Sequence, residues 1–356
     1  MPRGPPGQRR SAAEAGAGGS VGGCSNLVVT TTRPGSVPTS APPQPVTPAV
    51  LAALGTVYVV WGSTYLAIKY TVASLPPFLS MGSRFVFAGA VLAVAVLALR
   101  GRSAFRMTRG QALTAAVVGL FLLVGGNGVL AVAEQDIDSG LAALIIAGTP
   151  LWVVLLRLLL RDRPSAATVG GLVLGMVGVG VLLLPGLSGA SALGPLLLVC
   201  LSSVLWACGT VLSTRRPVPA DPFVTTVVQM AAGGTAMLLL GSLGGEWGRL
   251  DVAASSPSSW IAYVYLVLVG SLVGYSAYVW LLANAPLTLV TTYAYVNPAV
   301  AVALGSLFLD EPLTVYVVVG GGVIIAAVAL VITNESRARH RAVPRDDDGA
   351  VPLEPA

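Results

Sequence analysis

Between residues 48 and 332 the chain is a succession of apolar stretches of about 20 residues, broken by short polar turns. The pattern predicts ten membrane-spanning helices near 48–70, 77–99, 110–133, 138–160, 165–184, 193–214, 221–242, 259–283, 286–309 and 313–332. A membrane β-barrel would instead show short alternating segments, and none is visible. The second five stretches repeat the first five. Trp61 leads Arg84 by 23 residues, and Trp206 leads Gln229 by the same 23. Thr149-Pro150 is followed 14 residues later by Pro164, and Asn297-Pro298 by Pro312 at the same interval. Five is odd, so the repeats lie in opposite orientations across the bilayer. Such inverted pairs commonly hold a solute site near the midplane, between the halves. The expected fold is an all-α membrane protein of ten transmembrane helices in two inverted five-helix repeats, 48–184 and 193–332.

Composition sharpens this picture. Of 356 residues 55% are hydrophobic and 10% charged, against about 25% charged in a soluble domain. The net charge of +5 follows topology and is no signal for nucleic acid. With the N-terminus inside, the inner loops hold Arg100, Arg102, Arg106, Arg109, Arg161, Arg163, Arg215 and Arg216. The outer side holds Lys69 and Arg249, so the positive-inside rule places both termini in the cytoplasm. Residues 1–47, rich in Pro, Gly, Ser and Thr, and the polar stretch 333–356 read as disordered tails. Short loops leave no room for a soluble catalytic domain. Cys200 and Cys208 sit about 12 Å apart on one helix, too far for a disulfide. Cys24 and the lone His340 fall in the tails, so no metal-ligand spacing exists and no cofactor is expected. The wealth of Ala, Gly, Val and Arg, with one Lys, is typical of a GC-rich bacterial genome.

Certain motifs carry a resemblance. Trp61-Gly62-Ser63-Thr64-Tyr65, Arg84-Phe85, Gly140-Leu141-Ala142-Ala143-Leu144 and Thr149-Pro150 stand in the first half. Trp206, Gln229, Asn297-Pro298 and Asp310-Glu311-Pro312-Leu313-Thr314 stand in the second. In order and spacing, over residues 48–332, the chain resembles the EamA family of the drug/metabolite transporter superfamily. The resemblance implies a five-plus-five inverted repeat around a central cavity, and often export of amino acids or other small metabolites. That family usually carries an acid before the proline in both halves. Glu311 keeps it, whereas the first half has Arg163.

Arg84 is the sharpest candidate residue. It lies about 10 Å inside one face, where a charge costs about 2.5–3.5 kcal/mol on insertion scales. It must therefore face protein or water. One reading is a guanidinium that holds a solute carboxylate; the other is a structural pair with Glu134, or snorkelling. Glu134 reads as a proton carrier, a gate partner of Arg84 or Lys69, or the first charge of a solvated loop. Lys69 is an interfacial anchor or part of an outer gate. Trp61, Tyr65, Trp152, Trp206, Gln229 and Asn297 are candidates for lining the solute site. Asn127, Tyr275, Trp280, Tyr293 and Tyr295 also lie within spans. Pro150 and Pro298 are candidate hinges. Asp310-Glu311-Pro312 reads as the N-terminal cap of the tenth helix. Gly170, Gly171, Gly175, Gly178, Gly180 and Gly320 to Gly322 read as close-packing faces, within the molecule or in a homodimer.

The whole predicts a secondary transporter of small organic solutes in a bacterial inner membrane, not an enzyme, with solute and lipid as partners. An exchanger of sugar phosphates or nucleotide-linked sugars is the rival within the same superfamily. It would need a second deep cation. A membrane enzyme acting on lipid would need paired carboxylates, a His or a nucleophilic Ser near the interface; the lone His340 lies in a tail, and no acidic pair lies deep in a helix. A scaffold would leave the buried Arg84 unexplained.

Overall fold

Proline stands in the first turn of the helices that begin at Pro48, Pro77, Thr149, Pro222 and Pro257, where its missing N–H costs nothing. Side chains cap several of these starts. Thr47 accepts from the Val50 amide, Asp221 from Phe223 and Ser256 from Ser259, while Thr108 and Gln111 form a reciprocal capping box. Local sequence thus marks where several of the helices start before packing is considered.

The structure is a computed structural model that describes residues 47–162, 164–187, 193–285, 287–290 and 292–341. Most of the tail expected at 1–47, and residues 342–356, lie outside it, as does Arg163. Nine described helices are long and apolar enough to cross a membrane. They are Pro48–Val72, Pro77–Arg100, Arg109–Ala133, Ser139–Leu159, Ala166–Pro185, Leu193–Arg215, Pro222–Leu243, Pro257–Tyr278 and Val315–Asn334. Tyr293–Leu309 is shorter and takes the place expected for a ninth span; we number the spans first to tenth in chain order. The tenth span's helix continues to Arg341, so residues 333–341, expected in a polar tail, extend it.

Two spans contain a π-helical stretch. The third widens to a π-helix over Leu120–Gly128 and the eighth over Leu266–Val273. These positions correspond in the two repeats. The fourth span breaks at Gly148 into Ser139–Ala147 and Thr149–Leu159, with Pro150 opening the second piece. Pro298, by contrast, sits inside a continuous helix.

The packing partners are reciprocal. The second span packs on the seventh and the fifth on the tenth. The first packs on the eighth and ninth, and the sixth on the third and fourth. Exchanging the halves maps the second–seventh and fifth–tenth pairs onto themselves and the contacts of the first span onto those of the sixth, a pattern consistent with an inverted repeat. Glycines permit the close crossings. A β-carbon at Gly82 would lie 2.8 Å from the Leu238 amide nitrogen, and one at Gly234 would lie 3.0 Å from the Gly82 carbonyl. Gly178 and Gly320 meet similarly between the fifth and tenth spans, and Gly171 faces Val331. These glycines therefore pack within the molecule. Gly170, Gly180 and Gly322 face open space. Large apolar side chains such as Leu99, Leu113, Leu159, Leu239, Ile261 and Leu307 lie on the outside, the surface lipid would cover.

The crossing at Gly82 gives a stability prediction. Gly82→Leu places a side chain against the backbone of the seventh span and should cost about 1–3 kcal/mol. Gly322→Leu, at an open position, should be nearly neutral. Thermal unfolding of both in detergent, followed by size-exclusion chromatography, checks the difference.

Candidate functional site

Three charged residues are buried among the described residues: Arg84, Glu134 and Glu246. Each solves burial differently. Arg84 projects from the second span toward the eighth. Its Nε donates to Ser271 Oγ at 2.9 Å, an Nη contacts Met81 Sδ at 3.6 Å, and the guanidinium lies 4.6 Å from the centre of the Phe85 ring. Ser271 is held in turn, donating to the Leu266 carbonyl across the π-helix. Arg84 forms no ion pair among the described residues, so the expected alternative of a pair with Glu134 is not realised. The cation is buried against neutral groups. Gly270 makes room for it, since a β-carbon there would lie 3.4 Å from Arg84 Nη2 and 3.2 Å from Thr64.

One turn along, the same face of the eighth span meets Trp61. A β-carbon at Gly274 would come within 2.7 Å of Trp61 Nε1. The Trp61 ring is 4.9 Å from Tyr278 and 5.3 Å from Tyr293, and those two tyrosines are 5.7 Å apart. The first, eighth and ninth spans thus share an aromatic triangle, with Tyr275 at its edge. Arg84 and the triangle follow one strip of the eighth span. Gly62, beside Trp61, lies under the ninth span, where a β-carbon would be 3.1 Å from the Asn297 carbonyl. Asn297 is buried, and its side-chain oxygen has no partner among the described residues. The corresponding residue of the first half, Thr149, donates to Ile146 and pairs with Ser203.

A second cluster joins the loops at the end of the bundle opposite the arginine-rich loops. Lys69 donates to the carbonyls of Glu134 and Ile137, both at 2.7 Å. It therefore closes off the end of the third span by binding its backbone, not the Glu134 carboxylate. Glu134 follows Ala133 directly, is fully buried, and neither carboxylate oxygen has a partner among the described residues. Burial pushes this carboxyl well above the usual range; Lys69 opposes the shift and Glu311 adds to it. Asp138 is raised by burial and then by Glu311.

Glu311 corrects the sequence reading. It does not cap its own helix, which Thr314 begins by accepting from the Val317 amide. Glu311 reaches the fourth span. It accepts from the Ser139 amide at 2.6 Å, Ser139 Oγ at 2.8 Å and the Gly140 amide at 2.9 Å. Asp138, in the N-cap position of that helix, makes no cap bond of its own. Glu246 acts alike, accepting from Leu79 at 2.8 Å and Phe78 at 3.3 Å at the start of the second span. Arg249 lies 3.7 Å from it.

The structure brings Trp61 and Arg84 along one strip and Lys69 and Glu134 into one cluster. Tyr65 lies within electrostatic range of both Glu134 and Tyr293, linking the two regions. The other candidates stand apart. Trp206 is well exposed and lays its ring edge over Gly126 of the third span. Gln229 presents its backbone to Gly119, and Trp152 is half-buried on the lower piece of the fourth span. Sequence reasoning missed Ser271, Tyr278 and Glu246. The Tyr275/Tyr278 spacing of one helical turn was a usable signal for Tyr278; Ser271 and Glu246 offered none. Among the described residues no cluster of His, Cys, Asp and Glu could hold a metal.

Residues 47–184 and 193–333 each match the profile of the EamA-like transporter family. The chain is 36% identical over 283 residues to the uncharacterized inner membrane transporter YedA of Escherichia coli (strain K12), covering 79% of this chain and 90% of that one. It is 25% identical over 281 residues to a probable amino-acid metabolite efflux pump of Salmonella typhimurium (strain LT2), covering 76% and 91%. A solved crystal structure superposes with a TM-score of 0.55 at 22% identity, over 82% of this chain and 98% of that one. This last likeness speaks for the fold alone.

The Glu246 cap yields a prediction that needs no solute. Glu246→Ala leaves two amides at the start of the second span without an acceptor and should cost about 1–3 kcal/mol. Thermal unfolding in detergent would read this as a lowered midpoint, which Glu246→Asp should restore only in part.

Proposed function

The chain belongs to the EamA-like transporter family, and on that premise we propose that it exports small organic solutes, amino acids or related compounds, by alternating access. In this reading ten spans form two inverted halves, both termini face the cytoplasm, and the protein works as a monomer or homodimer in a bacterial cell membrane. No nucleotide-binding loop is present in the sequence, so the energy comes from the solute or proton gradient.

The observation that carries the reading is Arg84. A guanidinium buried against a hydroxyl, a thioether and an aromatic ring retains donors and charge for an anionic group. The solute's carboxylate goes to Arg84, and its apolar part lies along the strip toward Trp61, Tyr278 and Tyr293. Tyr65 and Asn297 supply polar contacts, the unpartnered Asn297 oxygen serving as an acceptor for an amine or hydroxyl. Trp152 of the first half and Trp206 and Gln229 of the second line the rest of the path. Pro150, opening a new helical piece after Gly148, and Pro298 are the hinges. Lys69 and Glu134 lie in the gate at the far end. The similarity to a probable amino-acid metabolite efflux pump supports the solute class and direction.

An exchanger of sugar phosphates or nucleotide-linked sugars fits less well. A dianion calls for a second cation, and Lys69, the cation of the first span, is occupied by backbone carbonyls.

Counterflow in proteoliposomes tests the proposal. A pooled panel of amino acids, amines and sugar phosphates should show accumulation of zwitterionic or monoanionic solutes. Arg84→Ala, still inserted and monodisperse, should weaken their apparent affinity about ten- to hundredfold, the loss expected for charge-assisted hydrogen bonds. Unchanged affinity in Arg84→Ala would remove the guanidinium from the solute path.

A further inference from the structure

The reading above leaves Glu134 and Glu311 without a task beyond closing one end. Their geometry is specific. Glu134 is a carboxylate sealed from solvent with both oxygens unpartnered among the described residues. An ionised carboxylate in that position would be far costlier than a neutral acid. The groups that face it are few. Lys69 and Tyr65 come from the first span, and Glu311 from the turn after the ninth. Asp138, on its own loop, is coupled to Lys69 and Glu311. Lys69 directs its ammonium to the carbonyls of Glu134, Gln135 and Ile137. Glu311 directs its carboxylate to the start of the fourth span. Neither neutralises Glu134.

Glu311 is seated in a niche that glycine creates. A β-carbon at Gly140 would lie 3.2 Å from its Oε2, and one at Gly305 would collide with the same carboxylate. The bonds join loops 172 and 171 residues apart in sequence, one from each half. Opening this end must break them.

We infer that Glu134 is a proton-binding site and Glu311 the latch that seals it, so that this end of the transporter closes with uptake of one proton. The inference rests on the alternating-access reading. When Glu311 leaves the fourth span, water reaches Glu134, and its carboxyl releases a proton to the solution on that side. On closing, the carboxylate takes a proton back before it is buried. The sign follows. A group whose pKa is raised in the closed form favours that form at low pH. The preference is lost as pH climbs through the raised value. Acid therefore closes this end, and alkali opens it.

The test reads the gate directly and needs no solute. Full-length protein carrying Cys24→Ser, Cys200→Ala and Cys208→Ala receives Ala133→Cys, a fully buried reporter beside Glu134. In proteoliposomes, labelling by an impermeant maleimide is divided at each pH by the rate for the same protein unfolded in detergent. The normalised rate should rise with pH, by at most about tenfold per unit for one coupled proton. Glu134→Gln should be slow and flat with pH. Glu311→Gln should label faster throughout and keep the pH slope. Gly305→Ala, which unseats the carboxylate by a separate route, should match it. A pH slope persisting in Glu134→Gln, a flat wild type, or no acceleration in both latch variants would overturn the inference. So would a flat pH response combined with protection by an added alkylamine, which would make Glu134 the counter-charge of a cationic solute. Loss of counterflow with an intact pH-dependent gate would overturn the solute reading and leave this one standing.

Discussion

In a hydrocarbon environment every backbone N–H and C=O must find its partner inside the protein. That constraint shapes this molecule at all levels. It makes every span helical, and it turns each helix end into a problem that a side chain or loop must solve. Thr47, Thr108, Asp221 and Ser256 solve it locally. Glu246 and Glu311 solve it at a distance, reaching from later loops to the starts of the second and fourth spans. Lys69 does the converse just past the end of the third span, donating to the carbonyls of Glu134 and Ile137. Glu246, Glu311 and Lys69 thus terminate helices from a distance, and they tie together the loops at one end.

Glycine provides the complementary freedom. Interior helices without water gain from close van der Waals approach, and the crossings at Gly82 with Gly234 and Gly178 with Gly320 bring backbones together. The same economy of size admits function. Gly270 and Gly274 clear the strip along which Arg84 and Trp61 lie, and Gly140 and Gly305 clear the niche for Glu311. The π-helical segment of the eighth span exposes Leu266 to the Ser271 hydroxyl, which in turn holds Arg84. One irregular stretch therefore fixes both a backbone distortion and the orientation of a buried cation.

Much of this was legible in the sequence. The span pattern, the 23-residue spacing from Trp61 to Arg84 and from Trp206 to Gln229, and the paired prolines are local features whose meaning survives without coordinates. The burial of Arg84 followed from its depth in an apolar run; that Lys69 would bind backbone carbonyls and leave the Glu134 carboxylate unpartnered did not. What escaped were partners across the fold. Glu311 was read against its own helix because Pro312 follows it, yet its carboxylate goes to Ser139, 172 residues away. Ser271 lies 187 residues from Arg84. A π-helix adds a residue to a turn without any compositional mark, so neither Leu120–Gly128 nor Leu266–Val273 was visible. The short ninth helix also escaped, since its apolar run reaches further than its helix.

The cap made by Glu311 has a counterpart position in the first half, occupied in sequence by Arg163. Two identical inverted halves would make the form closed at one end the mirror of the form closed at the other, and the two would be equal in energy. Here an acid stands at one place and a base at its equivalent. Chemistry breaks the degeneracy here, beside the architectural difference between the fourth span, broken at Gly148, and the continuous ninth. In the alternating-access reading proposed above, the two end-closed forms then differ in energy, and this acid and base are one source of the difference.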